Sequence, residues 1–354
     1  MKLCITNHGL RHSGGIERYA LTLVHGLHAA GVRPTVIAKV FDRALLEYGW
    51  ITPVPVPMLG LPSKLRDLYF DWRIRRLKAR SDLGPVIACN QTGAADIAIC
   101  GSTHPGYLAA MGQPAARSDD WKIRLEHAHL TNAKFIVAHS QRMADEAMRH
   151  HGVSAEKIRL MYPPVDGDRF SPASETERAR LRAELQLPDD RCVFLLASTG
   201  HRRKGLDLLA RFFAETHLPV CLVVAGRPLD IAAPHIRYLG YRTDIENVFR
   251  AIDFTLLASL YEPFGLVGIE SVLCGTPVVA ADNVGCAEVI REGGQITFSL
   301  DREASLGDAV ERAVDRWRSG THRIAAPLQA LGYDPSVAAH VRGLLDLAAQ
   351  VRPT

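Results

Sequence analysis

The sequence predicts an α/β chain built from two doubly wound parallel-sheet domains, and three observations predict it. Short apolar runs rich in Val, Ile, Ala and Cys alternate with amphipathic helical patterns almost from end to end. The alternation pauses once, at Tyr162-Pro163-Pro164-Val165-Asp166, and the 354 residues suit two domains. Strands that alternate with helices imply a parallel sheet covered on both faces.

Leu3–Ile5 reads as a buried strand, followed by a loop over His8–Gly15. A helix comes next, with Ile16, Ala20, Leu23, Val24 and Leu27 at 3.6-residue spacing and Gly31 as its stop. Thr35–Ala38, Val86–Cys89, Ile97–Cys100 and Phe135–Ala138 read as further strands with helical segments between them. Adjacent prolines continue neither a helix nor an interior strand, so Pro163-Pro164 reads as a linker. Beyond it, Val193–Ala197, Val220–Ala225, Phe254–Ala258 and Pro277–Ala281 read as strands. Helices are expected over Leu206–Phe213, from about Gly265, and from near Arg302. Pro335–Gln350 is one more amphipathic helix. The division expected is 1–163, 164–334 and a terminal 335–354 helix.

Hydrophobic residues make up 47% and charged residues 23%, the balance of a soluble globular protein. The net charge of +4 is too mild for a nucleic-acid binder. Residues 1–166 carry +7 and residues 167–354 carry −3, so an acidic partner would dock on the first half. The seven cysteines form no Cys-x-x-Cys pair and read as buried free thiols. The apolar start breaks at Thr6-Asn7-His8, unlike a signal peptide, and Pro53, Pro55, Pro57 and Pro62 interrupt the most apolar stretch. A cytoplasmic location is expected.

In such sheets ligands bind outside the carboxyl ends of strands, which makes an interdomain cleft and four post-strand segments the places to look. Gly14-Gly15 precedes a helix, where bare N–H groups favour an anion; a tight turn is the plainer reading. The glycines do not fit Gly-x-Gly-x-x-Gly, which counts against a nicotinamide enzyme. Arg202-Arg203-Lys204 follow a strand and are expected to open a helix, where they oppose its dipole unless an anion such as a diphosphate sits among them; a solvated charged face is the plainer reading. Glu262 precedes the next helix and Glu270 lies within it, with the N–H groups of Phe264, Gly265, Leu266 and Val267 available to a phosphate or sugar oxygen. The plainer reading is an N-cap acid and a surface Glu. His104 follows Ile97–Cys100 and suits a sugar hydroxyl or developing charge; with 15 His in the chain, a chance placement is the plainer reading. No His-Glu-x-x-His, metal-binding Asp-x-Asp or Gly-x-Ser-x-Gly is present, so charge on a leaving group falls to the cations and helix N–H groups.

These blocks resemble the retaining GT-B glycosyltransferases of family 4 over nearly the full length. The resemblance is carried by Gly14-Gly15-Ile-Glu-Arg, the Tyr162–Pro172 linker, Arg203-Lys204-Gly205 and the Glu262-x7-Glu270 spacing. Cys274-Gly-Thr-Pro-Val-Val279 and Ala287-Glu288-Val-Ile290 complete it. Arg-Lys-Gly is loosely similar to the lipopolysaccharide core α-glucosyltransferases. The resemblance implies two Rossmann-like domains facing across a cleft, with the nucleotide sugar held mainly by the second and the last helix crossing back to the first. It implies Arg203 and Lys204 on the diphosphate, Glu262 on the donor sugar, Glu270 on the ribose, and backbone at 264–266 on sugar and phosphate. It also implies Gly15 approaching the diphosphate and His104 contacting the sugar. Transfer from a UDP-sugar to a glycan or glycolipid would retain configuration without metal or cofactor. The chain departs from the family pattern where Ser198-Thr199 stand in place of an earlier Arg, which leaves Arg202 and Arg203 competing for one role. Cys286 stands where Gly is common and is expected to narrow the pocket. A sugar-nucleotide epimerase and an inactive nucleotide-binding module are the alternatives.

Residues 64–80 carry seven cations against two Asp, with Tyr69, Phe70 and Trp72 interleaved. Such a helix suits an anionic bilayer; the plainer reading packs Leu65, Leu68 and Trp72 into the core beneath a solvated basic face.

Overall fold

The computed structural model describes residues 2–58, 60–229, 233, 235–302 and 304–351, without the side chains of Ser63 and Lys64. The chain divides into two compact units, Met1–Pro164 with Pro335–Thr354, and Val165–Asp334.

The first unit holds strands β1 (Cys4–Leu10), β2 (Thr35–Phe41), β3 (Thr52–Pro55), β4 (Val86–Ala88), β5 (Ile97–Cys100), β6 (Phe135–Ala138) and β7 (Ile158–Leu160). Its helices are α1 (Gly15–Ala29), α2 (Ser63–Arg80), α3 (His104–Ala110), α4 (Asp120–Asn132) and α5 (Gln141–His151). The sheet is parallel throughout, in the order β3-β2-β1-β4-β5-β6-β7. Side chains alternate across it. Leu3 and Ile5 pack with Leu23, Val24 and Leu27 of α1 and with Val341 and Leu344 of the C-terminal helix Val337–Val351. Cys4 points the other way, to Phe70 and Ile74 of α2.

The second unit holds β8 (Cys192–Ser198), β9 (Val220–Gly226), β10 (Ile236–Gly240), β11 (Phe254–Leu257), β12 (Val278–Ala281) and β13 (Gln295–Phe298). Its helices are α6 (Glu175–Glu184), α7 (Leu206–Glu215), α8 (Ile245–Ala251), α9 (Leu266–Leu273) and α10 (Ser305–Arg318). The order β10-β9-β8-β11-β12-β13 is again parallel. Both sheets are therefore doubly wound. Strand order reverses between β1 and β4 in the first and between β8 and β11 in the second, the points beside which such sheets bind ligands.

Several elements differ from the sequence reading, each for a physical reason. β1 runs on to Leu10, because Gly9 and Leu10 pair with Val40 and Phe41 and Asn7 Nδ2 donates to the Gly9 carbonyl at 2.9 Å. The expected loop shrinks to residues 11–14. The proline-rich stretch holds a strand after all: β3 contains Pro53 and Pro55 and lies at the sheet edge, where a missing N–H is tolerated. β7, β10 and β13 are short, and β7 and β10 are only half-buried, so their apolar signal is weak.

Candidate functional site

The loops after β8 and β11 meet at the strand-order reversal of the second unit. Leu260 N–H donates to the Arg203 carbonyl at 2.9 Å. Gly205 makes this approach possible: its φ is +74°, and a β-carbon there would lie 2.0 Å from the Ala258 carbonyl oxygen. The cations do not open the helix as expected. Residues 201–205 form successive turns and α7 starts at Leu206, so Arg202, Arg203 and Lys204 stand before the helix, with Lys204 next to its N-cap Gly205.

Their partner is Glu262. Lys204 Nζ lies 2.5 Å from Glu262 Oε2 and Arg203 Nη1 lies 3.1 Å from the same oxygen. Ser259 Oγ donates to it at 3.2 Å, and Arg203 Nη1 also donates to the Tyr261 carbonyl at 2.8 Å. Burial by itself would raise the pKa of Glu262; Lys204 and then Arg203 outweigh it and hold the carboxyl below its ordinary value. Glu262 is therefore an ionised carboxylate with Oε2 committed to three donors, while Oε1 has no hydrogen-bond partner among the described residues. Arg202 is exposed and stands apart from this cluster.

α9 follows directly. Gly265, at φ +91°, takes the N-cap position, and the N–H groups of Leu266 and Val267 have no intrahelical acceptor. Glu262 is thus not the N-cap acid of the plainer reading, and Glu270 is not a surface residue: it is buried in α9. Phe264 is buried, its ring 6.3 Å from that of Tyr333. Cys286 is fully buried, with Sγ against Gly268 and its N–H donating to the Phe264 carbonyl at 2.5 Å. Through these contacts it packs against the loop that carries Phe264 and the first turn of α9. Two supports escaped the sequence reading: Ser259, and Asn283, whose Nδ2 donates to the carbonyls of Ser259 and Leu260 at 3.2 and 3.1 Å. No local spacing links Asn283 to that loop.

The remaining candidates lie in the first unit. Gly14 caps α1 and Gly15 begins it; both are exposed, and a β-carbon on Gly15 would meet nothing within 4 Å. His104 begins α3, capped by Thr103, whose Oγ1 accepts from Gly106 N–H at 3.2 Å. Its imidazole Nε2 lies 2.9 Å from Asp119 Oδ1. Behind it, buried Glu126 accepts from His104 N–H at 2.9 Å, His151 Nε2 at 2.7 Å and Gln91 Nε2 at 2.9 Å. Neither acid was anticipated. Asp119 was legible only as a helix-start residue, and Glu126 joins the site through contacts 22 to 35 residues away.

Leu65, Leu68 and Trp72 are 49%, 41% and 47% exposed, so they are not core residues under the basic face of α2. They line one side of α2 at helical spacing, with Arg76 5.2 Å from the Trp72 ring. Lys64, counted in the basic run, has a side chain outside the described residues. Among the described residues no helix is long and apolar enough to cross a membrane, and no three His, Cys, Asp or Glu side chains converge as a metal-holding group.

Residues 13–169 match the family described as Glycosyltransferase Family 4, and residues 190–316 match glycosyl transferases group 1. A probable transglycosylase of Burkholderia thailandensis is 44% identical over 353 residues, covering 99% of this chain and 97% of that protein. The chain belongs to glycosyltransferase family 4. A D-inositol 3-phosphate glycosyltransferase of Streptomyces scabiei is 31% identical over 67% of this chain and 64% of its own length. Among solved structures, WaaG, a glycosyltransferase involved in lipopolysaccharide biosynthesis, aligns with a TM-score of 0.75 at 16% identity over 98% of both chains. Anabaena HepE, in complex with UDP and glucose, aligns with a TM-score of 0.74 at 18% identity over 99% of both. The fold is that of the GT-B glycosyltransferases.

Proposed function

We propose that this glycosyltransferase moves a hexose from a UDP-sugar to a glycan or glycolipid acceptor, retains the anomeric configuration, and needs no metal ion. The observation that carries the reading is the ion cluster of the second unit. Two cations are held against one oxygen of Glu262, its other oxygen is open, and the bare N–H groups of α9 begin four residues later. The complex of HepE with UDP and glucose supports UDP as the nucleotide, and WaaG supports a lipopolysaccharide-like acceptor.

In this reading Arg203 and Lys204 face the diphosphate, with exposed Arg202 beside them. Glu262 Oε1 accepts from sugar hydroxyls, the N–H groups of Gly265 and Leu266 meet sugar and phosphate oxygens, Phe264 shapes the loop, and Glu270 serves the ribose. Gly14 and Gly15 offer backbone to the diphosphate and His104 meets the sugar. The acceptor hydroxyl oxygen bonds to the anomeric carbon on the face from which the diphosphate departs. The carbon–oxygen bond to the diphosphate breaks, and the hydroxyl proton passes to the departing phosphate oxygen. Arg203, Lys204 and the α9 N–H groups stabilise the charge that develops there. The exposed apolar side of α2 among its cations supports docking on an anionic bilayer, each near-surface cation adding about 1 kcal/mol.

The test is a thermal-shift screen of nucleoside diphosphates and their sugars with EDTA present, followed by product analysis with candidate acceptors. Ligand at a hundred times Kd adds about 2.7 kcal/mol. Stabilisation by UDP and UDP-sugars that disappears in Lys204→Ala and Glu270→Ala, with an α-linked product from an α-linked donor, is the expected result. Donor conversion without acceptor, an inverted product, or dependence on a divalent cation would overturn the corresponding part. Co-sedimentation with anionic vesicles, weakened by salt and by Trp72→Ala, checks the bilayer; absence of binding at low salt would end that part.

A further inference from the structure

Asp119 occupies the N-cap position of α4, yet its carboxylate does not cap that helix. It turns to His104. Oδ1 accepts from His104 Nε2 at 2.9 Å and from Lys122 Nζ at 3.2 Å, and Oδ2 accepts from Ala116 N–H at 3.1 Å. An N-cap Asp ordinarily gains stability by accepting from the first turn of its own helix. Here the carboxylate meets an imidazole instead.

We infer that Asp119 is a positioning residue: it fixes His104 as the Nε2–H tautomer, so that the first unit meets its ligand with a bare Nδ1, an acceptor matched to a hydroxyl group. The inference rests on the proposed role of His104 toward a sugar and adds the direction of that hydrogen bond. An ionised carboxylate only accepts, so Nε2 donates, and a neutral imidazole with Nε2 protonated has an acceptor at Nδ1. Nδ1 has no hydrogen-bond partner among the described residues, and the side chain is 20% exposed. The ring cannot easily turn away. His104 N–H is held by Glu126 at 2.9 Å, and Thr103, one residue earlier, is hydrogen-bonded to buried Glu146 through Oγ1. Glu126 is occupied by this N–H, His151 and Gln91, which leaves Asp119 as the carboxylate on the imidazole. With two acids behind it and a lone pair in front, His104 suits a neutral hydroxyl donor and disfavours a phosphate or carboxylate.

The experiment is nitrogen-15 NMR of the full chain labelled at histidine, above neutral pH, with His104 assigned from the signal lost in His104→Gln. Wild type should show Nε2 protonated and Nδ1 bare. In Asp119→Asn the Ala116 N–H retains the side-chain oxygen at the Oδ2 position and the exposed Lys122 ammonium turns to solvent, so the NH₂ group faces Nε2 and the tautomer should invert. Transfer should then fall on the order of tenfold to a hundredfold in kcat/KM, the loss of one well-placed hydrogen bond, while affinity for the nucleoside diphosphate alone stays unchanged. A protonated Nδ1 in wild type overturns the inference without any variant. So does an inverted tautomer in Asp119→Asn with undiminished kcat/KM. Absence of turnover with every nucleotide sugar in wild type would count against the proposed function, and the wild-type spectrum from the same sample would still decide the tautomer.

Discussion

At the strand-order reversal of the second sheet, charge meets charge: Arg203 and Lys204 close on Glu262. At the reversal of the first, Glu126 accepts from Gln91 just beyond β4, but the buried groups left unpaired are neutral. Thr6 Oγ1 and Asn7 Oδ1 on β1, Asn90 Oδ1 just beyond β4, and His139 Nε2 just beyond β6 are buried without a hydrogen-bond partner among the described residues. Burial, and then His340, pushes the His139 pKa down to about 3, while burial pushes His340 down to about 4. Two sheets of like topology thus carry unlike electrostatics. The fold supplies strand ends and bare helix N-termini; a handful of side chains decides whether the edge is ionic or neutral.

The largest test breaks the ionic edge. Lys204→Ala leaves the half-buried Glu262 carboxylate to Arg203 and Ser259, which costs about 3 kcal/mol on unfolding in urea as well as nucleotide-dependent stabilisation. Lys204→Met combined with Glu262→Gln should recover much of the stability and none of the binding. Next, Leu344→Ala opens the core that the C-terminal helix shares with α1. A loss of about 3 kcal/mol is expected, read by hydrogen exchange as lost protection in the first unit with the second unit unaffected.

Acid sharpens the contrast. His139 and His340 have folded pKa values below their unfolded 6.5, so the unfolded chain takes up their protons first. Their contribution is full above about pH 6.5 and is lost toward pH 4, roughly 2 kcal/mol each by pH 5. Glu262 and Asp253 are depressed carboxylates, the latter against burial by His322 and Arg182, and their contribution persists until pH falls below their ordinary values of 4.5 and 3.8. Exchange measured from pH 7 down to 4 should therefore loosen the first unit before the second. The smallest effect is at Arg202. Its replacement by Ala should change stability by less than about 0.5 kcal/mol, so any loss of diphosphate affinity there reports direct contact, whereas Arg203→Ala also disturbs Glu262.

Much of this was legible locally. The apolar runs Ile97–Cys100 and Phe135–Ala138 form strands at those bounds, and Thr35–Ala38 and Val193–Ala197 form the cores of longer ones. Each reports burial on both faces of a sheet through its own composition. The Glu262–Glu270 spacing likewise singled out a loop and helix before any contact was visible. What escaped was whatever a distant partner decides. β3 is a strand despite two prolines because β2 leaves it an edge to join. Arg203 and Arg202 are adjacent cations, and only the nearness of Glu262 separates one from the other. Leu65, Leu68 and Trp72 have the spacing of a core stripe, yet α2 buries Phe70 and Ile74 instead.

The sequence by itself determined two α/β units and the loops that hold candidate chemistry, because periodicity and backbone chemistry act over a few residues. The tertiary structure alone decided which oxygen of Glu262 stays open, that Asp119 faces His104, and which face of α2 remains exposed. Asp119 and His104 are 15 residues apart and Arg203 and Glu262 are 59 apart along the chain; their encounter is set by sheet order and packing and leaves no mark on local spacing.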